Sequence, residues 1–487
     1  MATGLAGLII YAVFAFQIMP GPEYPPYGAD IYDHYYLAIL EGRLDVKAII
    51  LEYEGHYLPD GTGFLYHGMA PLLTRFLFGW LIEPTGILYA SFSVFLWSII
   101  GTIFYHLAFH QVAKTKIEGF SKSKAGSLIL SLLVWFASPG ILLSSNIAFY
   151  HEAISVAYAA AAVFVFVFIR YHYFNMPVAR AIIIMALMAA VTVHARPNLA
   201  VGLYIGCCLL AAVGLYRAWR AQLLPVMVAM GILGISGFTY IGINALKFGN
   251  ASITHGSFEK SELQYGTTFW RGESVGNSER AKAFVAHGKF NAKRILPNLT
   301  VYAFDPPWYL VGAEISNRLG DAYNALIKPY LGYIRIEGPR TGIVFLWLAW
   351  FAIILAGAGH SPAIIGVGDR WILLVATGTA AILTLSYGTI TLRYRADLWP
   401  FVASFAIFCF PTSILKLNQL RESLIRILII IVVGISMQAS LKTAHMYSYF
   451  FREMPGTFFE TWTEDNCRSM ALSKLIKASR ADFICSR

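Results

Sequence analysis

Long apolar runs alternate along the chain with short polar segments. This spacing matches neither the two-residue period of a half-buried strand nor the narrow stripe of a soluble amphipathic helix. Runs of roughly 17–25 apolar residues are long enough to cross a bilayer as helices. They fall near 4–20, 86–110, 126–143, 153–170, 180–195, 198–216, 222–246, 341–359, 370–390, 398–415 and 424–441. Residues 71–82 are apolar but too short to span, and predict an interfacial or re-entrant helix. The expectation is an all-α polytopic membrane protein of about 11 transmembrane helices, with two large loops at about 21–84 and 247–340 carrying interfacial helices. Residues 1–442 form the polytopic domain and 443–487 a C-terminal tail. The first run, Leu5 to Met19, has no basic segment before it and no small-residue cleavage site before Pro20, so it reads as a retained span rather than a signal peptide.

The short loops orient the chain. One set carries Lys114, Lys116, Lys122 and Lys124, then Arg170 and Arg180, Arg217 and Arg220, Arg370, and Lys416, Arg421 and Arg426. The positive-inside rule makes these loops cytoplasmic. The 21–84 loop then lies outside, with nine acids (Glu23, Asp30, Asp33, Glu41, Asp45, Glu52, Glu54, Asp60 and Glu83) against Arg43, Lys47 and Arg75. The same alternation places outside the turn before Tyr150, the segment His194–Asn198, the 247–340 loop, Arg393–Asp397 and the tail. Most polar clusters thus share one face, as a single external active site requires.

Composition agrees. The 487 residues are 57% hydrophobic and only 13% charged, against about 25% charged in soluble domains. The net charge of +10 fits loops facing anionic lipid or anionic substrate rather than nucleic acid. Of five cysteines, Cys207, Cys208 and Cys409 fall in apolar runs. Cys467 and Cys485 lie in the external tail, where an oxidising compartment would let them pair; the alternative is two unpaired thiols.

Several clusters carry candidate chemistry. Asp30 and Asp33 stand three residues apart with His34 beside them, a spacing that puts both acids on one helix face. A carboxylate there can act as a general base on a hydroxyl; the alternatives are an N-cap for Asp30 and a first-turn acid favoured by the helix dipole for Asp33. Glu54, His56 and His67 join acid and imidazole groups that suit a divalent cation such as Mg or Mn, although their spacing matches no metal motif and a folded aromatic loop is the alternative. His151 and Glu152 open a span and could orient a sugar or sit near a metal, or Glu152 could cap the helix. Arg196 precedes Pro197 at a break between two apolar runs, and Arg393 and Arg395 flank Tyr394 at another membrane edge. Guanidinium forks match phosphate geometry; snorkelling to the interface is the alternative. Asn250 and Asn298 head sequons. No Walker A run, dinucleotide fingerprint or nucleophile elbow is present. Without a soluble nucleotide-sugar domain, a lipid-phosphate-linked donor fits.

These residues together resemble bacterial glycosyltransferases of the GT-C superfamily, which use polyprenyl-phosphate-linked sugars. The likeness rests on Asp30 after the first span with Ala38 eight residues on, the run Tyr36–Leu44 and the proline-containing return Tyr66–Leu72. Tyr150-His151-Glu152, Arg196-Pro197, Asn244 to Gly249, and Arg393-Tyr394 to Asp397 with Pro400 add to it. It implies a GT-C fold with Asp30 as catalytic base. Many members have an Asp-Glu pair where Ile31 follows Asp30 here, and Asp33-His34 is similar to an Asp-His variant, so Asp33 competes for the role. The implied activity is inverting transfer of a hexosyl or pentosyl group from a polyprenyl-phosphate sugar to a glycan, lipid or protein hydroxyl. Arg196, Tyr394, Arg393 and Arg395 would bind the donor phosphate, in cell-envelope glycan synthesis at the outer face of a bacterial inner membrane. The competing reading is a lipid or small-anion transporter or flippase, which calls for midplane charges and repeats that the sequence lacks.

Overall fold

The computed structural model describes residues 2–18, 23–81, 86–117, 120–251, 263–271, 279–358, 368–410, 419–454, 457 and 462–486. Glu83, Lys416 and the 254–260 stretch of the long loop lie outside these, as do the side chains of Arg421 and Arg426.

Among the described residues helix occupies most of each apolar run, although the run 370–390 leaves its helix after Ser386. Five helices among the described residues are long and apolar enough to cross a membrane: Ile87–Lys116, Lys124–Ser144, Phe149–Phe174, Pro197–Phe248 and Ile427–Tyr447. Four more are apolar but shorter: Ala2–Ala15, Val178–Val193, Leu348–Gly357 and Arg370–Ser386. The expected spans 198–216 and 222–246 are two helical segments within Pro197–Phe248, separated at Ala218, where the backbone leaves helical geometry, and packed against each other, with the Tyr204 hydroxyl donating to the Leu233 carbonyl at 3.2 Å. The first segment starts where a proline at its first turn costs no hydrogen bond, and the second stops at Gly249, whose φ of 65° suits a residue without Cβ.

The centre of the bundle is Phe149–Phe174, rich in alanine and buried along most of its length. Small residues let helix backbones approach closely where no hydrophobic effect separates lipid from protein. A Cβ on Gly202 would stand 2.1 Å from the Ala376 carbonyl oxygen, and one on Gly101 2.4 Å from the Tyr158 ring. The 71–82 segment forms the short helix Leu72–Phe78, which exposes Phe76 and Leu77 and buries Arg75.

The loops hold two small sheets that the apolar pattern did not predict. In the first, β1 (Gly55–Tyr57) pairs antiparallel with β2 (Gly63–Leu65) and with β3 (Gln264–Tyr265), with His56 opposite Phe64 and Tyr265. In the second, β4 (Arg335–Ile336) runs parallel to β5 (Thr389–Ile390). Each sheet ties the long loop to another part of the same face, β3 to the first loop and β4 to the segment before Arg393. The tail forms helices Glu464–Ser473 and Ala478–Cys485, joined by a Cys467–Cys485 disulfide. It docks on the first loop: the Lys47 ammonium donates to the Ser486 carbonyl at 3.2 Å, and Trp462 packs between Tyr53 and Trp270.

Candidate active site

The two sheets and the break at Arg196 surround a cavity of about 360 Å³. The first loop contributes Glu54, Tyr66 and His67 to it, and the first turn of Phe149–Phe174 contributes Tyr150. Arg196 comes from the helix break, Tyr265, Arg280, Lys289, Arg335 and Glu337 from the long loop, and Tyr387, Arg393 and Tyr394 from the segment beside β5.

Two carboxylates line the cavity among the described residues, in different surroundings. Glu337 lies 2.9 Å from the Arg393 guanidinium and 3.0 Å from Arg335. Burial alone would raise its pKa, but Arg393, Arg335 and Arg280 outweigh that and hold it below the usual carboxylate value. Glu54 accepts from three phenols: Tyr66 at 2.8 Å and Tyr265 at 3.0 Å on Oε2, and Tyr150 on Oε1. Burial, then the Glu54 charge, push the Tyr66 and Tyr265 hydroxyls well above the ordinary tyrosine value, so both stay protonated donors.

The cations are spread around the wall. Arg196 pairs with Asp397 and lies over the Tyr394 ring at 4.5 Å. Arg393 lies over Tyr150 at 4.4 Å. Arg280 reaches the Tyr387 hydroxyl at 3.3 Å and forms no ion pair among the described residues. Burial, then the charges of Arg196 and Arg393, push the His67 imidazole well below the usual histidine range, so it is neutral. His56 sits behind β1 among Tyr66, Phe248 and Tyr265, and burial followed by Lys289 takes it down to about 3.

The other expected site residues lie elsewhere. Asp30 occupies the N-cap position of the helix Ile31–Leu40, but its side chain makes no capping bond; it is half-exposed, 3.7 Å from His34. Asp33, on the same helix, is buried. The Arg75 guanidinium donates to its Oδ1 from Nε at 2.8 Å and reaches Glu152 Oε1 at 3.1 Å, so one cation holds two acids. Burial first raises Asp33, Arg75 opposes this and Glu152 adds to it, and the balance stands at about 7. The shared helix face therefore does not place both acids at one site: Asp33 turns inward to Arg75 and Asp30 outward to solvent. Glu152 likewise serves Arg75 rather than a helix cap, and His151 is bonded to the Tyr447 hydroxyl at 2.8 Å. Arg395 is buried over Tyr302 beside the Arg340–Asp305 pair and does not line the cavity. Among the described residues no three His, Cys, Asp or Glu side chains come together to hold a metal ion. Of the residues expected to suit a metal, Glu54 and His67 line the cavity, whereas His34, His56, His151 and Glu152 do not.

Sequence reasoning missed Arg280, Lys289, Arg335, Glu337, Tyr265 and Tyr387. Lys247, Lys293 and Arg294 carry the same kind of charge in the same loop. The Lys247 ammonium instead donates to the Leu65 carbonyl, and Arg294 to the carbonyls of Gly288 and Leu331. No signal in the sequence separates the two groups.

No protein-family model matches the chain, and no curated protein matches it. Among solved structures it is similar to the Archaeoglobus fulgidus oligosaccharyltransferase in complex with Zn and sulfate, with a TM-score of 0.50 at 11% identity over 99% of this chain. Archaeal oligosaccharyltransferase AglB from the same organism, in complex with an inhibitory peptide and a dolichol-phosphate, gives a TM-score of 0.48 at 10% identity, covering 98% of this chain and 59% of that one. The chain spans 57% of the length of the first protein. The first likeness shows a shared fold. The structures found are archaeal rather than bacterial.

Proposed function

We propose that the chain is an inverting glycosyltransferase. It moves a sugar from a polyprenyl-phosphate-linked donor to an acceptor hydroxyl at the non-cytoplasmic face of the membrane. The observation that carries this reading is the charge of the cavity. Among the described residues Arg196, Arg280, Lys289, Arg335 and Arg393 line it, five cations against Glu54 and Glu337, with Asp397 behind Arg196. A low-dielectric pocket with a cationic surplus suits an anionic leaving group, whose charge grows as the glycosidic bond breaks. Tyr387, Phe290 and Tyr394 line it, and about 360 Å³ lies at the lower end of small-molecule sites.

In this reading the acceptor oxygen bonds to the anomeric carbon while the carbon–oxygen bond to phosphate breaks. Arg196 and Arg393, held in place by Asp397 and Glu337, take up the charge left on the phosphate. The test is transfer of labelled sugar by purified protein from a panel of polyprenyl-phosphate sugars to a lipid and glycan extract. The expected result is labelled product, lowered at least tenfold by Arg393→Gln. Passage of the donor across sealed vesicles with no covalent change would overturn the proposal.

A further inference from the structure

This inference rests on the glycosyl-transfer reading above and concerns the proton that the acceptor hydroxyl must lose. A base has to stand within hydrogen-bond reach of that hydroxyl, so it must line the cavity. Asp30 and Asp33 do not line it, and Asp33 is held by Arg75 with its side chain 2% exposed. Glu337 lines it but is flanked by Arg393 and Arg335, and a carboxylate between two guanidinium groups is a poor proton acceptor.

Glu54 remains. It forms no ion pair among the described residues, and its partners are the three phenols. An ionised carboxylate offers about four lone-pair sites. Oε2 uses two of them on Tyr66 and Tyr265, and Oε1 uses one on Tyr150. Among the described residues one acceptor position on Oε1 stays open. The phenols come from three separate parts of the chain and fix the rotation of the carboxylate, which a base needs in order to meet a substrate at one angle.

We infer that Glu54 is the catalytic base. Its Oε1 takes the proton of the acceptor hydroxyl as the acceptor oxygen bonds to the anomeric carbon. The bond between that carbon and the phosphate oxygen breaks, and its electron pair leaves with the phosphate. The products are the glycosylated acceptor, polyprenyl phosphate and a protonated Glu54, which returns its proton to water.

The experiment uses the full chain in detergent, with donor binding measured by labelled polyprenyl phosphate and turnover by the transfer assay. Glu54→Gln keeps the size and most of the hydrogen bonding of the side chain. It is expected to bind polyprenyl phosphate as wild type does and to lose about 10²–10⁴-fold in turnover. Glu54→Asp, which keeps a carboxylate one methylene shorter, is expected to fall between the two. Turnover of Glu54→Gln within fivefold of wild type overturns the assignment and leaves the function standing, as does weakened donor binding at unchanged turnover. If Glu54→Gln does not fold, Glu54→Asp decides: turnover lowered more than fivefold at normal donor binding supports the assignment, and turnover within fivefold of wild type overturns it. Loss confined to Asp30→Asn returns the base to the first-loop helix. A wild type that transfers from none of the donors overturns the underlying reading, and this assignment with it.

Discussion

Arg75→Met tests how the first loop is anchored to the membrane bundle. Arg75 is fully buried and is the shared cation of Asp33, from the first-loop helix, and Glu152, from the central helix. Methionine fills much of the same volume without charge, so the cavity term is small and the effect is electrostatic. Removing one partner of a buried pair costs about 3–5 kcal/mol, because the other charge is left in a low-dielectric interior. Here two carboxylates lose the same partner. The cost also depends on pH. In the folded wild type the pKa of Asp33 is raised to about 7 with Arg75 opposing the rise, so below that Asp33 is already neutral and the variant strands only Glu152; above it the variant also gives up the ionised Asp33–Arg75 pair. We expect a loss of about 4 kcal/mol at pH 8 and a smaller one at pH 5.5. The assay is unfolding of purified protein in mixed dodecylmaltoside–dodecyl sulfate micelles at both pH values, with Glu152→Gln and the double variant closing a cycle. The single changes should couple by about 0.5–3 kcal/mol. A loss below about 1 kcal/mol at pH 8, or one that does not change with pH, refutes the reasoning.

Wild-type stability should itself depend on Asp33. Its pKa is raised from 3.8 to about 7 in the folded chain, so the stabilisation is complete below the unfolded value and is lost as pH rises through about 7. Near its steepest this amounts to about 1.4 kcal/mol per pH unit, and Asp33→Asn should flatten the slope in the same micelle titration. Cys467→Ser should free the tail from the first loop: the cross-link closes 18 residues, worth about 3 kcal/mol, and limited proteolysis should cut the variant's tail while sparing wild type. Gly68→Ala should disrupt the cavity wall, since its Cβ would stand 1.9 Å from the His194 carbonyl oxygen; overpacking of this kind costs about 1–3 kcal/mol, and polyprenyl phosphate binding should fall with it. Arg280→Gln should weaken that binding by about tenfold, the worth of one charge-assisted hydrogen bond, with a flatter dependence on salt.

What the sequence made legible is what local composition controls. Apolar run length is a one-dimensional signal, so helices stand at every run. The break at Arg196-Pro197 is equally local, because proline cannot continue the preceding helix. The break at Ala218 falls between the two expected spans, 198–216 and 222–246, where the apolar run gives way to Arg217 and Arg220. The loops were harder. Strands as short as Gln264–Tyr265 carry no period, and they form only because their partners lie elsewhere in the fold. Glu54 meets Tyr150 across 96 residues and Tyr265 across 211. Arg75 looked like one charge among nine acids, yet it decides which way Asp33 points.

The charges of this face sort into two kinds. Asp33–Arg75–Glu152, Arg196–Asp397 and Arg335–Glu337–Arg393 each join elements distant in sequence, and each neutralises a buried charge with its own partner. Such pairs add little net stability but fix geometry, because breaking them strands a charge. Glu54 and Arg280 differ: both line the cavity, and neither has an ion-pair partner among the described residues. A charge held by phenols or by one tyrosine hydroxyl is still available to a substrate. The paired residues therefore hold the frame of the site, with Arg196 and Arg393 among them still facing the cavity, and Glu54 and Arg280 add two charges there that no described residue neutralises.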